Sequence, residues 1–87
     1  MNEQRTSAQA QSVSIVARVP TVEEYLHLIA AVGWRPRERR AVELALHHSL
    51  YAVCAETGDH TVGCGRVIGD GGLHLYLTGI HLTRDIL

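Results

Sequence analysis

LYAVCAETGDHTVGCGRVIGDGGLHLYLTGIHL, residues 50–82, decides the fold. Leu50 to Glu56 is rich in strand-forming residues and ends at Thr57-Gly58-Asp59-His60, a turn by composition. Thr61 to Ile68 reads as the next strand. Gly63 and Gly65 interrupt it, which predicts a bulge or a close backbone contact. Asp70-Gly71-Gly72 is a strong hairpin turn, and Leu73 to about Leu82 is the last strand. Three strands joined by two short turns predict an antiparallel meander.

The chain upstream changes period. Ser12 to Arg18 alternates, with Val13, Ile15 and Ala17 on one side and Ser14, Val16 and Arg18 on the other, as a short strand does. Pro20 ends it. Thr21 to Val32 has helical spacing, with Val22, Tyr25, Leu26, Ile29 and Val32 on one face. Thr21 and Glu24 have the spacing of a capping box, and Gly33 is a C-terminal stop. Pro36 serves as a first-turn residue for a second helix running to about His48, with Val42, Ala45 and Leu46 in its stripe. Arg37, Arg39 and Arg40 crowd the start of that helix, which disfavours it unless a carboxylate or other anion stands nearby. The predicted fold is α+β: strand, helix, helix, then a three-strand antiparallel meander, with both helices on one face. Residues 1–12 are polar and aperiodic and read as a mobile tail. Residues 13–87 form the single domain.

Composition narrows the function classes. The 87 residues are 46% apolar, enough for one small core. Net charge is −1, so no global field draws in nucleic acid or an anionic membrane. No apolar run of about 20 residues is present to span a bilayer, and no secretion signal opens the chain. Cys54 and Cys64 match no metal spacing and are too few for a disulfide framework, which points to a cytoplasmic protein with reduced thiols. The six histidines do not converge: His47 and His48 diverge on a helix, and His74 and His81 differ in strand parity. No metal site is predicted.

In order, P-x-x-E-Y-x-x-L (Pro20 to Leu28, with one residue inserted), Gly33-Trp34, Ser49 to Val53, G-x-x-R-V-I-x-D-G (Gly63 to Gly71) and Leu73 to Leu82 form a series. That series resembles the front half of a GNAT-family N-acetyltransferase. The resemblance covers about three-quarters of this chain and about half of a complete family domain. It implies acetyl transfer from acetyl-CoA to a small-molecule or peptide amine acceptor. It implies that the backbone of the last strand, at Ile80, His81 and Leu82, pairs with the pantetheine arm of acetyl-CoA. It sets Trp34 and Arg35 at the acceptor-substrate wall, although Trp34 also suits the role of a lid on a small core. The family's pyrophosphate loop, R/Q-x-x-G-x-G/A, follows the fourth strand. Gly79 to Asp85 match only part of the usual approach to that loop, and the sequence ends before it. The chain alone is therefore expected to bind acetyl-CoA weakly or not at all. No catalytic residue is singled out.

Arg66 has two readings. A turn at 58–59 sets Tyr51 opposite Arg66, and the turn at 70–72 brings Tyr76 close, which predicts a Tyr51–Arg66–Tyr76 row on one sheet face. The arginine then either contacts an anion or substrate, or packs the sheet. The arginines at 35, 37, 39 and 40 are interleaved with Glu38 and Glu43 and read as a solvated helix face. A non-enzymatic alternative also follows from the predicted topology. The last strand has an exposed edge that recruits a second copy or a complementing chain.

Overall fold

The computed structural model describes residues 12–81. Residues 1–11 of the expected tail and the end of the last expected strand at Leu82 lie outside the described residues. The element order is β1 (Ser14–Val16), α1 (Val22–Ala31), α2 (Arg39–His47), β2 (Tyr51–Thr57), β3 (His60–Gly69) and β4 (Leu75–His81). The strands form one antiparallel sheet in the order β1-β2-β3-β4. The α+β class and the meander follow the sequence pattern. β1 joins the sheet beside β2, with Val16 opposite Cys54.

Local chemistry sets both ends of α1. The Thr21 hydroxyl accepts from the Glu24 backbone N–H at 3.1 Å, and the Glu24 carboxylate accepts from the Thr21 N–H at 2.8 Å. These bonds satisfy two donors that a helix start leaves open. At the other end Gly33 takes φ +79°. Gly33 N–H then donates to Ala30 O at 3.1 Å and Trp34 N–H to Ile29 O at 3.0 Å, the paired closure of a glycine-terminated helix. The helix buries Leu28 and Ile29 against Cys54, Cys64 and Ile80, with Tyr25 and Val32 packed at the margin. Leu28 is fully buried although it falls outside the predicted stripe.

α2 starts at Arg39 and not at Pro36, because Glu38 is extended and its side chain makes no capping bond. The cations at its start find their carboxylates. Arg39 is paired with Glu23 of α1 and lies 3.7 Å from Glu43, and Arg40 lies 3.6 Å from Glu43. Val42 and Leu46 are the buried positions of the helix.

The β2–β3 hairpin carries the main departure from expectation. Thr57 pairs with His60 around Gly58-Asp59. A regular ladder from that turn would set Tyr51 opposite Arg66. The register slips instead between Ala55 and Glu56: Ala55 faces Gly63, but Glu56 faces Thr61. One extra residue on β3 is absorbed as a bulge, so Tyr51 meets Val67, and Arg66 meets Ala52 and Thr78. Since strand side chains alternate, Tyr51 lies on the face opposite Arg66. The expected Tyr51–Arg66–Tyr76 row is therefore not formed. Tyr76, opposite Ile68, shares the Arg66 face one pair along.

β4 begins at Leu75, two residues later than predicted. The Asp70 carboxylate accepts from Gly72 N–H at 2.8 Å and from His74 N–H at 3.1 Å, holding that stretch as a loop. The finished sheet has two unlike faces. The inner face holds Cys54, Cys64 and Ile80 under α1. On the outer face Ile15, Tyr51, Leu75 and Leu77 are all more than half exposed.

Candidate functional site

β4 is the edge of the sheet, with β3 as its single strand neighbour. Its outer rim therefore offers backbone N–H and C=O groups that no strand among the described residues pairs. Ile80 faces the core and pairs with Cys64, and His81 pairs with Gly63 on the outer face. Of the three residues expected to contact the cofactor, Ile80 turns its backbone groups to β3, His81 follows it on the edge strand, and Leu82 lies outside the described residues. Beside them the outer face sinks into a trough floored by Gly63, Gly65 and Gly79. An edge strand suits a ligand that itself carries amides, because such recognition needs backbone and little side-chain identity.

Arg66 lies on the inner face and is buried, at 9% exposure. One nitrogen, Nη1, donates to Ala45 O at 3.2 Å and to Ser49 Oγ at 3.0 Å. The guanidinium lies over the Tyr25 ring, 5.5 Å from its centroid. A cation at the last turn of α2 is favoured by the helix dipole, and the aromatic face adds to this. Nε and Nη2 make no hydrogen bond among the described residues. Arg66 thus ties α2 to the sheet and keeps donors in reserve. Tyr25, read in the sequence as a core residue, is its stacking partner.

Trp34 and Arg35 sit in the linker between the helices, both exposed, with Trp34 at 48%. Neither is hydrogen-bonded to Arg66 among the described residues. The structure therefore separates the three expected substrate contacts into an exposed pair and a buried singleton.

A second polar cluster was not visible in the sequence. Arg18 donates to Glu24 through Nη1 at 2.8 Å and Nη2 at 2.9 Å, and to Glu56 through Nε at 3.0 Å and Nη2 at 2.7 Å. Thr61 donates to Glu24 at 2.7 Å. The Arg18 hydrogen bonds lead the causes that push Glu24 down to about 2. The bulge sets Thr61 opposite Glu56, at the network. The one sequence signal was Glu24, whose two carboxylate oxygens exceed what a capping box uses. The cluster joins the β1–α1 linker, α1, β2 and β3, and its single guanidinium bridges both carboxylates, so its chemistry is structural.

Cys54 and Cys64 face each other across β2 and β3 as buried free thiols. Desolvation is the main cause raising both, Cys64 to about 11, which makes poor nucleophiles of them. Among the described residues no three His, Cys, Asp or Glu side chains converge as a metal site. No described helix is long and apolar enough to cross a membrane.

No protein-family model and no curated protein matches the chain. Solved structures do. A probable acetyltransferase of unknown function from meticillin-resistant Staphylococcus aureus superposes with a TM-score of 0.73 at 35% identity, over 82% of this chain and 53% of that one. A GNAT-family acetyltransferase from Streptococcus pneumoniae gives a TM-score of 0.70 at 35% identity, over 84% of this chain and 55% of its own. The chain spans about half the length of these relatives. Its strand-helix-helix-meander order and its sheet are those of a partial GNAT acetyltransferase fold.

Proposed function

We propose that this chain contributes the β4 rim and the α1–α2 side of an acetyl-CoA-dependent N-acetyltransferase. The observation that carries the reading is the position of β4 at the edge of the sheet, in a fold shared with acetyltransferases. The edge strand fits an arm that carries amides: the β4 backbone around Ile80 and His81 would hold the pantetheine arm of acetyl-CoA. When bound, acetyl-CoA supplies a thioester-activated acetyl group. Backbone N–H groups of the edge strand would stabilise negative charge on the carbonyl oxygen as an amine adds and CoA leaves as its thiol. A neutral amine is the competent nucleophile, and a base must take its proton. On the acceptor side, Trp34 and Arg35 form an exposed wall. Arg66, with Nε and Nη2 uncommitted, is suited to an acceptor carboxylate. Reduced Cys54 and Cys64 agree with a cytoplasmic setting.

No arginine stands on the outer face or on β4, so the described residues offer the acetyl-CoA phosphates no charged partner there. Binding by the chain alone is therefore expected to be weaker than micromolar. Amide NMR during titration with acetyl-CoA tests the reading. Shifts confined to Gly79, Ile80 and His81 are expected at millimolar ligand. Shifts that spare β4 would overturn it, and micromolar binding by calorimetry would overturn the weak-affinity claim.

A second, non-enzymatic reading rests on the same rim. Leu75, Tyr76 and Leu77 are 57%, 63% and 82% exposed on the edge strand. A complementing strand would gain ladder hydrogen bonds and cover these side chains. Light scattering on the purified chain, alone and with acetyl-CoA, separates the two.

A further inference from the structure

Arg66 is a buried cation whose bonds go to neutral oxygens. At 9% exposure it donates, among the described residues, to Ala45 O and Ser49 Oγ, both through Nη1. Buried charges are ordinarily matched by an opposite charge. Arg18, Arg39 and Arg40 are all more exposed, and each is paired with a glutamate. The arginine with the greatest need of an anion is the one that lacks it.

The two uncommitted nitrogens form a matched pair. Nε–H and Nη2–H run parallel from one edge of the guanidinium, the edge that meets both oxygens of a carboxylate. Arg18 uses that edge in this molecule: its Nε and Nη2 donate to Glu56 Oε2 at 3.0 and 2.7 Å. In the planar group the edge points directly away from Nη1. Since Nη1 is turned to the end of α2, the free edge of Arg66 is turned away from that helix.

The group is held in place before any ligand arrives. Its two acceptors fix Nη1, and the guanidinium lies over the Tyr25 ring. A fixed fork gives up little freedom on binding. On the β4 side the inner face is partly open. Thr78 lies directly opposite Arg66 and is partly buried, and Tyr76, in the next pair on this face, is 63% exposed. No other arginine stands on β2, β3 or β4, and the chain has no lysine. One fork and one charge suit a planar monoanion, which is a carboxylate.

We propose that Arg66 anchors a carboxylate site on the inner face, with Nε–H and Nη2–H each donating to one carboxylate oxygen and Thr78 and Tyr76 beside the approach. Naming the ligand as the amine acceptor, an amino acid or peptide that carries its own carboxylate, rests on the acetyl-transfer reading; the site itself does not. Proton–nitrogen NMR of the arginine Nε–H groups in the full chain tests it, with sodium acetate titrated against sodium chloride and sodium phosphate at matched ionic strength. The Arg66 Nε–H is expected to shift and saturate with acetate and to stay in place with chloride. An Nε–H that acetate does not move overturns the proposal and assigns the fork to water or to the chain's own carboxylates. Phosphate binding more tightly than acetate overturns the choice of a carboxylate. Arg66→Lys keeps the charge and a donor for Ala45 O and Ser49 Oγ but has no fork. Shifts at the Thr78 amide should then need about 10-fold more acetate or beyond. An undiminished response in a folded Arg66→Lys counts against the fork, and the wild-type titration decides the matter if the variant misfolds. Glycylglycine against its amide, which lacks the carboxylate, reads the acceptor: about 10-fold tighter binding of the acid is expected, and equal binding removes the acceptor assignment. None of these outcomes depends on acetyl-CoA, whose failure to shift β4 would sink the acetyl-transfer reading and leave the carboxylate site standing.

Discussion

Arg18 grips Glu24 with two parallel hydrogen bonds, 2.8 and 2.9 Å long, and turns the rest of its guanidinium to Glu56. All three side chains are about one-third exposed or less, 32%, 27% and 30%. Solvent screens them in part, so the network is worth more than a lone surface pair and less than a buried one. Replacing Arg18 by methionine keeps the stem and removes the fork. A loss of about 1–2 kcal/mol in urea denaturation is expected. A change below a few tenths would show that the fork adds nothing.

The same contact sets an acid limit. Arg18 holds the Glu24 carboxyl down at about 2, well below its ordinary 4.5. A carboxyl whose folded value is depressed contributes stability above its unfolded value and loses it as pH falls toward the folded one. Stability should therefore decline between about pH 4.5 and pH 2. In Glu24→Gln this part of the decline should shrink, from a lower starting stability. Denaturation midpoints measured across that range, wild type against variant, give the answer.

Arg66 is expected to act on stability as an anchor. Arg66→Ala removes the bonds to Ala45 O and Ser49 Oγ and the ring contact with Tyr25. About 2–3 kcal/mol should be lost. Ser49→Ala should cost less, about 1 kcal/mol, because Ala45 O still receives the guanidinium. Equal losses would contradict this ranking.

The loop before β4 gives a graded series. A Cβ on Gly69 would lie 2.0 Å from His74 O, a backbone clash, at φ +146°. Gly71 sits at φ +79° with open space around it. Gly72 meets only Asp70 Oδ1, at 3.7 Å. Alanine should cost about 3 kcal/mol or more at Gly69, about 1 at Gly71 and less than about 0.5 at Gly72. Thermal melts of the three variants test the order.

Cys54 and Cys64 should resist thiol reagents at pH 8 in the folded chain and react fully in denaturant, since both are buried and shifted upward. Fast labelling of the native chain would show that the inner face opens.

Local signals were legible wherever one residue sufficed to set the backbone. Thr21 with Glu24, Gly33, and Asp70-Gly71-Gly72 each acted where the sequence put them. Long-range partners were not legible. Arg18 and Glu56 are 38 residues apart, and no period connects them. The position of Arg66 was missed by one residue, because a bulge leaves no mark in a strand pattern beyond two glycines, and one slipped residue moves a side chain to the other face. The β4 rim was legible from topology alone. The relief of the outer face needed the register first.

The bulge at Ala55 and Glu56 separates the tip of the β2–β3 hairpin from the rest of the ladder. Gly58 and Asp59 are exposed, and the pairing from Ala55 toward Tyr51 does not count its register from them. The tip is thus a docking port for engineering. A peptide tag or a fluorophore-bearing insert placed between Gly58 and Asp59 would extend away from the core, and the strands below would keep their alignment.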